Sequence, residues 1–186
     1  PLMILFLNNI RVALATMHLP LKEVSQNITQ SNLIEIIEIF NKSLWLDFCI
    51  DESNIAVLGL NPHAGENSSL GKEEEEIIKP AIKHCNINGI HSEGPFSSDG
   101  FFGFNEYKKY DGIIAMYHDQ GLIPLKLLSN GNGVNFTANL PLVRCSPDHG
   151  TGFSIAGKGI ANELSTYNAL LSAISITESR QQRAAL

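Results

Sequence analysis

The chain has 186 residues, 44% hydrophobic and 17% charged, with a formal net charge of −6. This composition can bury a sizeable core and is too apolar for a disordered segment. The acidic balance, without any cluster of Lys and Arg, argues against a nucleic-acid-binding protein. A small anion can be bound by only a few Lys or Arg side chains, so the net negative charge does not exclude a small anionic ligand.

The cysteines indicate the cellular compartment, and the first residues indicate how much of the protein the chain represents. Three widely spaced cysteines without a CxxC pair favour the reducing cytoplasm over a disulfide framework or a thiolate zinc site; they are Cys49, Cys85 and Cys145. The opening apolar run is too short for a membrane span and lacks the features of a signal peptide. Because it begins inside an expected strand and without Met, we expect the N-terminal part of the protein to be missing from residues 1–186. We see no clean internal boundary.

The first third of the chain predicts two strands, a helix and a third strand. Residues 1–7 and 11–17 are short apolar runs separated by two Asn residues, which indicates two strands and a turn. Apolar residues at helical spacing predict a helix over 29–48. The unbroken apolar run at 54–60 is typical of a buried strand.

The remainder continues the alternation of strands and helices. A helix from about residue 71 carries acids 73–76 in its first turn, where the helix dipole favours them, and Pro80 kinks or restarts it. The later predicted elements are a loop at 95–103, strands at 111–117 and 134–137, a loop at 145–159, a helix at about 161–176 and a polar tail that frays. This order predicts an α/β protein with a largely parallel sheet flanked by helices.

Three of the six histidines follow predicted strands: His18, His63 and His118. The carboxyl edge of such a sheet is where ligands bind, and three neutral imidazoles can hold a divalent metal while leaving positions open for substrate. The alternative is that each histidine is hydrogen-bonded in a strand-end loop, because the spacings match no local metal motif. The pattern leaves both interpretations open.

Acidic residues near these histidines can orient the imidazole rings. Asp119 adjoins His118, Glu66 follows His63 by three residues, and Asp99 lies in a predicted loop. A carboxylate beside a ligating histidine fixes the ring and raises its basicity. For Glu66, an acid that simply faces water is the alternative.

Two cations lie within apolar runs, Lys126 in IPLKLL and Arg144 in LPLVRC. Since an unpaired buried charge is costly, each either pairs with an internal acid or faces a ligand carboxylate or phosphate. Asn135 in GNGVNFT can add a neutral hydrogen bond to the same ligand, or satisfy a turn. The chain has no G-x-G-x-x-G string, so a dinucleotide would bind by another geometry.

Four long strings together resemble the 4-hydroxythreonine-4-phosphate dehydrogenase family of pyridoxal 5′-phosphate biosynthesis. They are VALATMHLPL at 12–21, AVLGLNPHAGE at 56–66, AMYHDQGLIPLK at 115–126 and GVNFTANLPLVRCSPDHGT at 133–151. The resemblance extends from about Arg11 to Ala173 and implies that residues 1–186 are the C-terminal portion of a two-domain dehydrogenase. It implies the isocitrate/isopropylmalate dehydrogenase-like fold and a cytoplasmic homodimer whose active site lies at the subunit interface, with no nucleic-acid or membrane partner.

The resemblance also implies residue roles. The metal ligands would be His18, His63 and His118, the last reaching the metal bound by the other subunit. Lys126, Asn135 and Arg144 match substrate-binding positions, and Asp99 and Asp119 match acids near the metal. We expect Lys126 and Asp119 to act in catalysis, Lys126 by offsetting substrate charge and Asp119 as proton acceptor or ring orienter. A loop against the adenosine of the dinucleotide would comprise His149, Gly150, Thr151 and Gly157.

The implied reaction is the oxidation and decarboxylation of 4-phosphooxy-L-threonine to 3-amino-2-oxopropyl phosphate, with NAD as cofactor and NADP as the alternative. The implied divalent metal is Zn²⁺, with Co²⁺ or Mg²⁺ as alternatives, and it lowers the pKa of the substrate hydroxyl as hydride leaves. Two other functions stay open. One is a phosphate acetyltransferase-like enzyme of the same broad fold. The other is a truncated, catalytically silent domain, since the family's chains are about twice as long.

Overall fold

A seven-stranded mixed sheet forms the centre of the computed structural model, which describes residues 1–185. Its strands are β1 (Leu2–Leu7), β2 (Ile10–Leu14), β3 (Ile55–Leu58), β4 (Ser92–Phe96), β5 (Gly112–Ala115), β6 (Val134–Ala138) and β7 (Cys145–Pro147). Its helices are α1 (Leu21–Asn27), α2 (Gln30–Phe48), α3 (Lys79–Ile87), α4 (Ser98–Gly103), α5 (His118–Ser129) and α6 (Leu164–Ala184). Within this range no helix combines the length and apolar character that crossing a membrane requires.

The strands lie in the order β4-β3-β5-β2-β1-β6-β7. The block β4-β3-β5-β2 is parallel, whereas β1 pairs antiparallel with β2 and with β6. Because β6 and β2 both oppose β1, they point the same way, and β7 reverses again. Only β1 and β7 therefore run against the other strands described, which agrees with the predicted largely parallel sheet.

Helices cover both faces of the sheet and give it two apolar cores. Leu33, Ile37 and Phe40 of α2 pack on one face together with α1, α3 and α6. Leu122 and Leu125 of α5 pack on the other face, beside α4. At the start of α2 the Thr29 hydroxyl accepts a hydrogen bond from the Asn32 amide at 3.2 Å, as an N-cap does.

Several sequence-based predictions were wrong at the element level. The predicted loop at 95–103 contains the end of β4 and α4, and the loop at 145–159 opens with edge strand β7. These segments are short and rich in Gly, Pro and Ser, so periodicity does not reveal them. The helix α5 was not predicted because Gly121 and Pro124 interrupt its pattern. The helix predicted from residue 71 begins instead with a π-helical turn, Glu74–Ile78, that leads into α3 with Pro80 in its first turn.

The C-terminal tail, residues 179–186, was expected to fray, but residues 179–184 continue helix α6. Residue 186 lies outside the described residues. Helix α6 continues to Ala184 because two arginines of its last turns have partners on α2 and just beyond it. Arg180 Nε lies 2.6 Å from Asp47 Oδ1, and Arg183 Nη2 lies 2.6 Å from Asp51 Oδ1. The polar tail is therefore bound to the fold through its charges.

Candidate active site at the carboxyl edge of the sheet

All three predicted histidines lie at the carboxyl edge of the parallel block. His18 follows β2, His63 follows β3 and His118 begins α5 directly after β5, each within five residues of the strand end. Since β2, β3 and β5 are parallel, these loops emerge on the same side of the sheet. Topology thus places the imidazoles at the edge predicted from the sequence.

His18 and His118 are neighbours, with ring centroids 5.6 Å apart. The reason is that β2 and β5 stay paired beyond their ends. The Thr16 amide donates to the Met116 carbonyl at 3.1 Å and the Thr16 hydroxyl donates to the same oxygen at 2.7 Å. The two rings line a cavity of about 240 Å³ whose other walls are mainly apolar, including Met17.

Asp119 orients the His118 ring, as the sequence predicts for an acid beside a ligating histidine. His118 Nδ1 lies 2.7 Å from Asp119 Oδ1. This hydrogen bond occupies Nδ1 and leaves Nε2 as the nitrogen available to a ligand. Both side chains are partly open to solvent, so the pair can present the imidazole to a molecule that approaches from outside.

His63 lies in a separate part of the same edge, exposed on the turn Pro62–Gly65. Asp99 is its acidic neighbour. The hydrogen bond from the Ser97 hydroxyl is the main cause that lowers the pKa of the Asp99 carboxyl, and the Gly100 amide and His63 act in the same direction. Glu66, the other acid considered, is exposed and offers its backbone amide to the His63 carbonyl.

Gln120 links the loops of this edge, and sequence reasoning missed it. Its Oε1 accepts from the Met116 amide at 2.6 Å, while its Nε2 donates to the Gly59 carbonyl at 2.6 Å and the Ser98 hydroxyl at 2.8 Å. One amide side chain therefore joins the ends of β5 and β3 to the start of α4. Its only signal in the sequence is its position two residues after His118.

The donor chemistry suits a divalent ion, but the described part of one chain does not complete a site. Imidazole is a ligand type that Zn²⁺ and related ions prefer. Within residues 1–185, no three His, Cys, Asp or Glu side chains come together closely enough to hold a metal. His18 and His118 meet, whereas His63 lies apart from their cavity. A complete set of ligands requires a donor from outside this arrangement.

Lys126 pairs with an internal acid, one of the two alternatives considered for it. Its Nζ lies 3.2 Å from Asp148 Oδ1, and the Asp148 side chain is only 7% exposed. Asp148 Oδ2 is buried without a hydrogen-bond partner, which leaves an acceptor beside the ammonium. Lys126 follows His118 by eight residues along α5, a distance of about 12 Å at the rise of an α-helix.

Arg144 and Asn135 lie near β6, beside the edge strand β7. Arg144 is exposed and takes part in none of the salt bridges among the described residues, so it does not pair with an internal acid there. Its Nη1 donates to the Thr137 hydroxyl at 3.0 Å. Asn135 is half-buried on β6, and its Oδ1 has no hydrogen-bond partner although it is shielded from solvent. This acceptor therefore has the capacity for one further hydrogen bond, as do several other buried polar atoms of the described residues.

The residues predicted to contact a dinucleotide share one cavity of about 530 Å³ between the loop after β7 and the start of α6. Its lining includes His149, Gly150, Thr151 and Gly157. A Cβ at Gly150 or at Gly157 would have no atom within 4 Å, so the loop backbone borders open space. This volume lies within the range of small-molecule pockets.

Glu74 is the second residue whose importance sequence reasoning missed. The acids 73–76 were attributed to the dipole of a helix start, but Glu74 is fully buried and accepts hydrogen bonds from the backbone of Leu60 and Asn61. Four consecutive Glu residues give no sequence signal that one of them turns inward. Only the tertiary structure separates it from its neighbours.

Comparison with known proteins identifies the family. A model of the family described as pyridoxal phosphate biosynthetic protein PdxA matches residues 1–173. A 4-hydroxythreonine-4-phosphate dehydrogenase of Bacteroides thetaiotaomicron is 50% identical over 184 residues, which is 99% of this chain and 50% of the relative. A protein of the same name from Sulfurihydrogenibium is 47% identical, with 96% of this chain and 55% of the relative covered.

A solved structure agrees with the sequence matches. The crystal structure of 4-hydroxythreonine-4-phosphate dehydrogenase from Klebsiella pneumoniae superposes with a TM-score of 0.78 at 38% identity, covering 96% of this chain and 52% of that chain. The chain thus has the isocitrate/isopropylmalate dehydrogenase-like fold that the resemblance implies, and it spans about half the length of the curated relatives it matches. On this evidence the chain belongs to the PdxA family of pyridoxal phosphate biosynthetic proteins.

Proposed function

We propose that the chain carries the metal-binding and dinucleotide-binding residues of a cytoplasmic dehydrogenase that converts 4-phosphooxy-L-threonine to 3-amino-2-oxopropyl phosphate. NAD accepts the hydride in this proposal. The observation that carries it is the emergence of three imidazole-bearing loops at one edge of a parallel sheet, in a chain that matches the PdxA family over residues 1–173. The names of the relatives supply the substrate class.

The reaction needs a hydroxyl that loses its proton while hydride leaves the same carbon, followed by loss of CO₂ from the resulting β-keto acid. When bound, a divalent ion supplies Lewis acidity to the hydroxyl and keto oxygens. His18, His63 and His118 would hold it, and Asp119 keeps Nδ1 of His118 occupied so that Nε2 faces the site. Asp119 is also our choice for the group that accepts the hydroxyl proton.

Two cations and an amide are proposed to bind the substrate. Lys126 and Arg144 offset its phosphate and carboxylate charges, and Asn135 offers the unpartnered Oδ1 to a substrate donor. Binding would draw Lys126 from Asp148 or add the substrate to that pair. His149, Gly150, Thr151 and Gly157 are proposed to border the adenosine of NAD, or of NADP, in the cavity they share.

We further propose that the site forms between two subunits. His118 lies beside His18 but apart from His63, and Lys126 lies about 12 Å along α5 from His118. Within residues 1–185 of one chain, no three potential ligand side chains lie close enough together to hold a metal, and the resemblance to the family implies that the missing ligand comes from a second subunit. A second copy that supplies His118 to the metal bound by its partner would complete the three ligands.

The first experiment measures metal content in the purified protein and in two histidine variants. After incubation with Zn²⁺ and Mg²⁺ we expect about one divalent ion per subunit, as at a trihistidine site. His63→Ala should lose it, whereas His84→Ala, an exposed histidine on α3, should keep it. No metal in any sample, with the dimer confirmed, would contradict a metal-assisted mechanism.

A second experiment separates the dehydrogenase from the two alternatives. With metal loaded, 4-phosphooxy-L-threonine and NAD should yield NADH and CO₂ in equal amounts. Metal and NAD binding without turnover would favour a catalytically silent domain. Acetyl transfer to phosphate without any metal requirement would instead favour the acetyltransferase-like enzyme, a function that the names of the matched relatives do not support.

A further inference from the structure

A buried carboxylate lies behind the loop that carries His63. Glu74 is 1% exposed, and its Oε1 accepts from the backbone amides of Leu60 at 2.8 Å and Asn61 at 2.7 Å. Its Oε2 accepts a third hydrogen bond from Asn61 Nδ2 at 3.0 Å. Within the described residues Glu74 takes part in no salt bridge. These donors therefore stabilise the buried oxygens.

The loop also surrounds the carboxylate closely. A Cβ at Gly65 would lie 2.6 Å from Glu74 Oε2, and a Cβ at Gly59 would lie 3.2 Å from Oε1. At Gly65, where φ is also +79°, a side chain would displace the carboxylate, whereas at Gly59 the contact would be tight. The carboxylate thus contacts the loop before His63, through Leu60 and Asn61, and after it, through Gly65.

The backbone between these contacts has an unusual conformation. The φ angle is positive at every residue from His63 to Ser68, and His63 itself has φ 52° and ψ 29°. Gly65 is the only glycine in this run, and residues with a Cβ are disfavoured in the left-handed region. Such a segment persists only where the surrounding structure holds it in place.

We propose that Glu74 is the positioning residue for His63. Acting through the backbone of Leu60, Asn61 and Gly65, it holds the left-handed turn that presents the His63 imidazole at the carboxyl edge of the sheet. The inference rests on the proposed function only in taking His63 to be a metal ligand. The contacts that define the role are made within the chain between Glu74 and the loop around His63.

The neighbouring acids show that a helix dipole does not explain Glu74. Glu75 pairs with Lys79, and Glu76 lies 3.9 Å from Lys72, both at the surface. A favourable interaction with the helix start would be open to any of these residues. Glu73 contacts the loop only through the Asn61 side chain, whereas Glu74 is buried and accepts from the Leu60 and Asn61 backbone amides. Glu76 provides a matched control at an exposed position.

The test compares Glu74→Gln with Glu76→Gln. Co²⁺ is titrated into the metal-free protein and followed by its visible absorption. We expect Glu74→Gln to weaken Co²⁺ binding about ten- to a hundredfold and to change the band shape, because the ligand is no longer oriented. Glu76→Gln should keep the wild-type affinity and spectrum. In the metal-free protein, the Leu60 and Asn61 amides should exchange hydrogen faster in Glu74→Gln alone.

Two results would overturn the proposal. One is a folded Glu74→Gln protein with wild-type Co²⁺ affinity and unchanged exchange at Leu60 and Asn61. The other is a lower melting temperature with an unaltered Co²⁺ spectrum, which would make Glu74 merely structural. If the wild-type protein binds no Co²⁺, the metal proposal fails, and exchange at the two amides alone decides the role of Glu74.

A milder variant covers the case in which Glu74→Gln does not fold. Asn61→Ala removes the Nδ2 hydrogen bonds to Glu73 and Glu74 but keeps the backbone amide on the carboxylate. We expect a smaller loss of Co²⁺ affinity, together with faster exchange at residue 61. Wild-type values for both would overturn the proposal.

Discussion

The three cysteines occupy different environments. Cys49 is exposed at the end of α2, Cys85 is buried on α3, and Cys145 is half-buried at the start of β7. Burial raises the pKa of the Cys85 thiol to about 11, with a smaller contribution from Glu38. Burial also raises the pKa of Cys145 to about 11, with Asp47 adding to it. Between about pH 9 and pH 11, both thiols therefore stay protonated in the folded protein but lose their protons in the unfolded chain.

This difference predicts that stability falls at high pH. The unfolded thiols titrate near pH 9, whereas the folded protein holds the two protons to about pH 11. Their contribution is complete below pH 9 and is lost as the pH rises through 11. Urea unfolding across this range should show the decline. Cys85→Ala should reduce the slope and Cys49→Ala should not; equal slopes in all three proteins would contradict the assignment.

Gly121 allows α5 to lie close to the sheet. A Cβ there would lie 2.7 Å from Val12 Cγ1 and 2.8 Å from the Ala115 Cβ, both in the buried core. Overpacking of this kind costs about 1–3 kcal/mol and exceeds the gain of about 1 kcal/mol that Ala has over Gly inside a helix. The close contact also determines how near His118 lies to β2.

We expect Gly121→Ala to lower the free energy of unfolding by roughly 1 kcal/mol, measured by urea unfolding. The matched control is Gly103→Ala in α4, where a Cβ would meet nothing within 4 Å. That change should leave the free energy of unfolding unchanged or raise it by up to about 1 kcal/mol, because only the helix propensity changes there. A Gly121→Ala protein as stable as the control would show that α5 can move away without cost.

At the scale of elements, α6 is bound to the body of the protein through an ion pair with α2. Asp47 is 2% exposed and Arg180 is 18% exposed in their side chains. The Ser43 hydroxyl donates to Asp47 Oδ2 at 2.6 Å, and Arg180 Nη1 donates to the Leu140 carbonyl at 3.0 Å. Removal of the guanidinium would leave a buried carboxylate without its counter-charge.

Arg180→Ala should therefore destabilise the protein by about 3–5 kcal/mol, the usual effect of breaking a buried pair from one side. Lys72→Ala is the control, because Lys72 and Glu76 form an exposed pair at 3.9 Å and such pairs contribute at most about 1 kcal/mol. Urea unfolding of the two variants distinguishes them. An effect of Arg180→Ala no larger than that of Lys72→Ala would mean that the end of α6 frays in solution.

At the scale of the whole molecule, α6 exposes an apolar stripe. It consists of Leu164, Tyr167, Leu170, Leu171 and Ile174, all exposed. These residues recur every three or four positions and therefore share one side of the helix. Soluble proteins seldom leave such a stripe open to water, and it marks an interaction surface. The stripe supports the proposal that two chains associate.

We expect sedimentation or light scattering to give the purified protein twice the mass of one chain. Leu170→Asp with Ile174→Asp should shift it toward monomer, because charge is excluded from the core of an interface. Ile87→Asp, at an exposed position on α3, should leave the mass unchanged. If the site is shared, the monomeric variant should also lose its metal. A wild-type monomer that binds metal would contradict a shared site.

The parts of the fold that could be predicted from the sequence are those with local signals. The buried strand at 54–60 is an unbroken apolar run, and β3 forms there; the helix at 29–48 has apolar periodicity, and α2 forms there. Among the elements that were missed, β4, α4, α5 and β7 carry Gly, Pro or Ser where a regular pattern would be. The short helix α1 was missed as well. Their structure depends on packing against the sheet, which no local window contains.

The candidate site likewise has features that local sequence predicts and features that depend on the tertiary structure. The sequence by itself determined that His18, His63 and His118 follow the carboxyl ends of strands, because an apolar run that gives way to polar residues is a local feature. Which histidines meet was decided only by the tertiary structure: β2 and β5 are paired across 100 residues of chain, as Thr16 and Met116 show. The inward turn of Glu74 and the pairing of Arg180 with Asp47 were decided there too, since burial and charge partners arise from residues far apart in sequence.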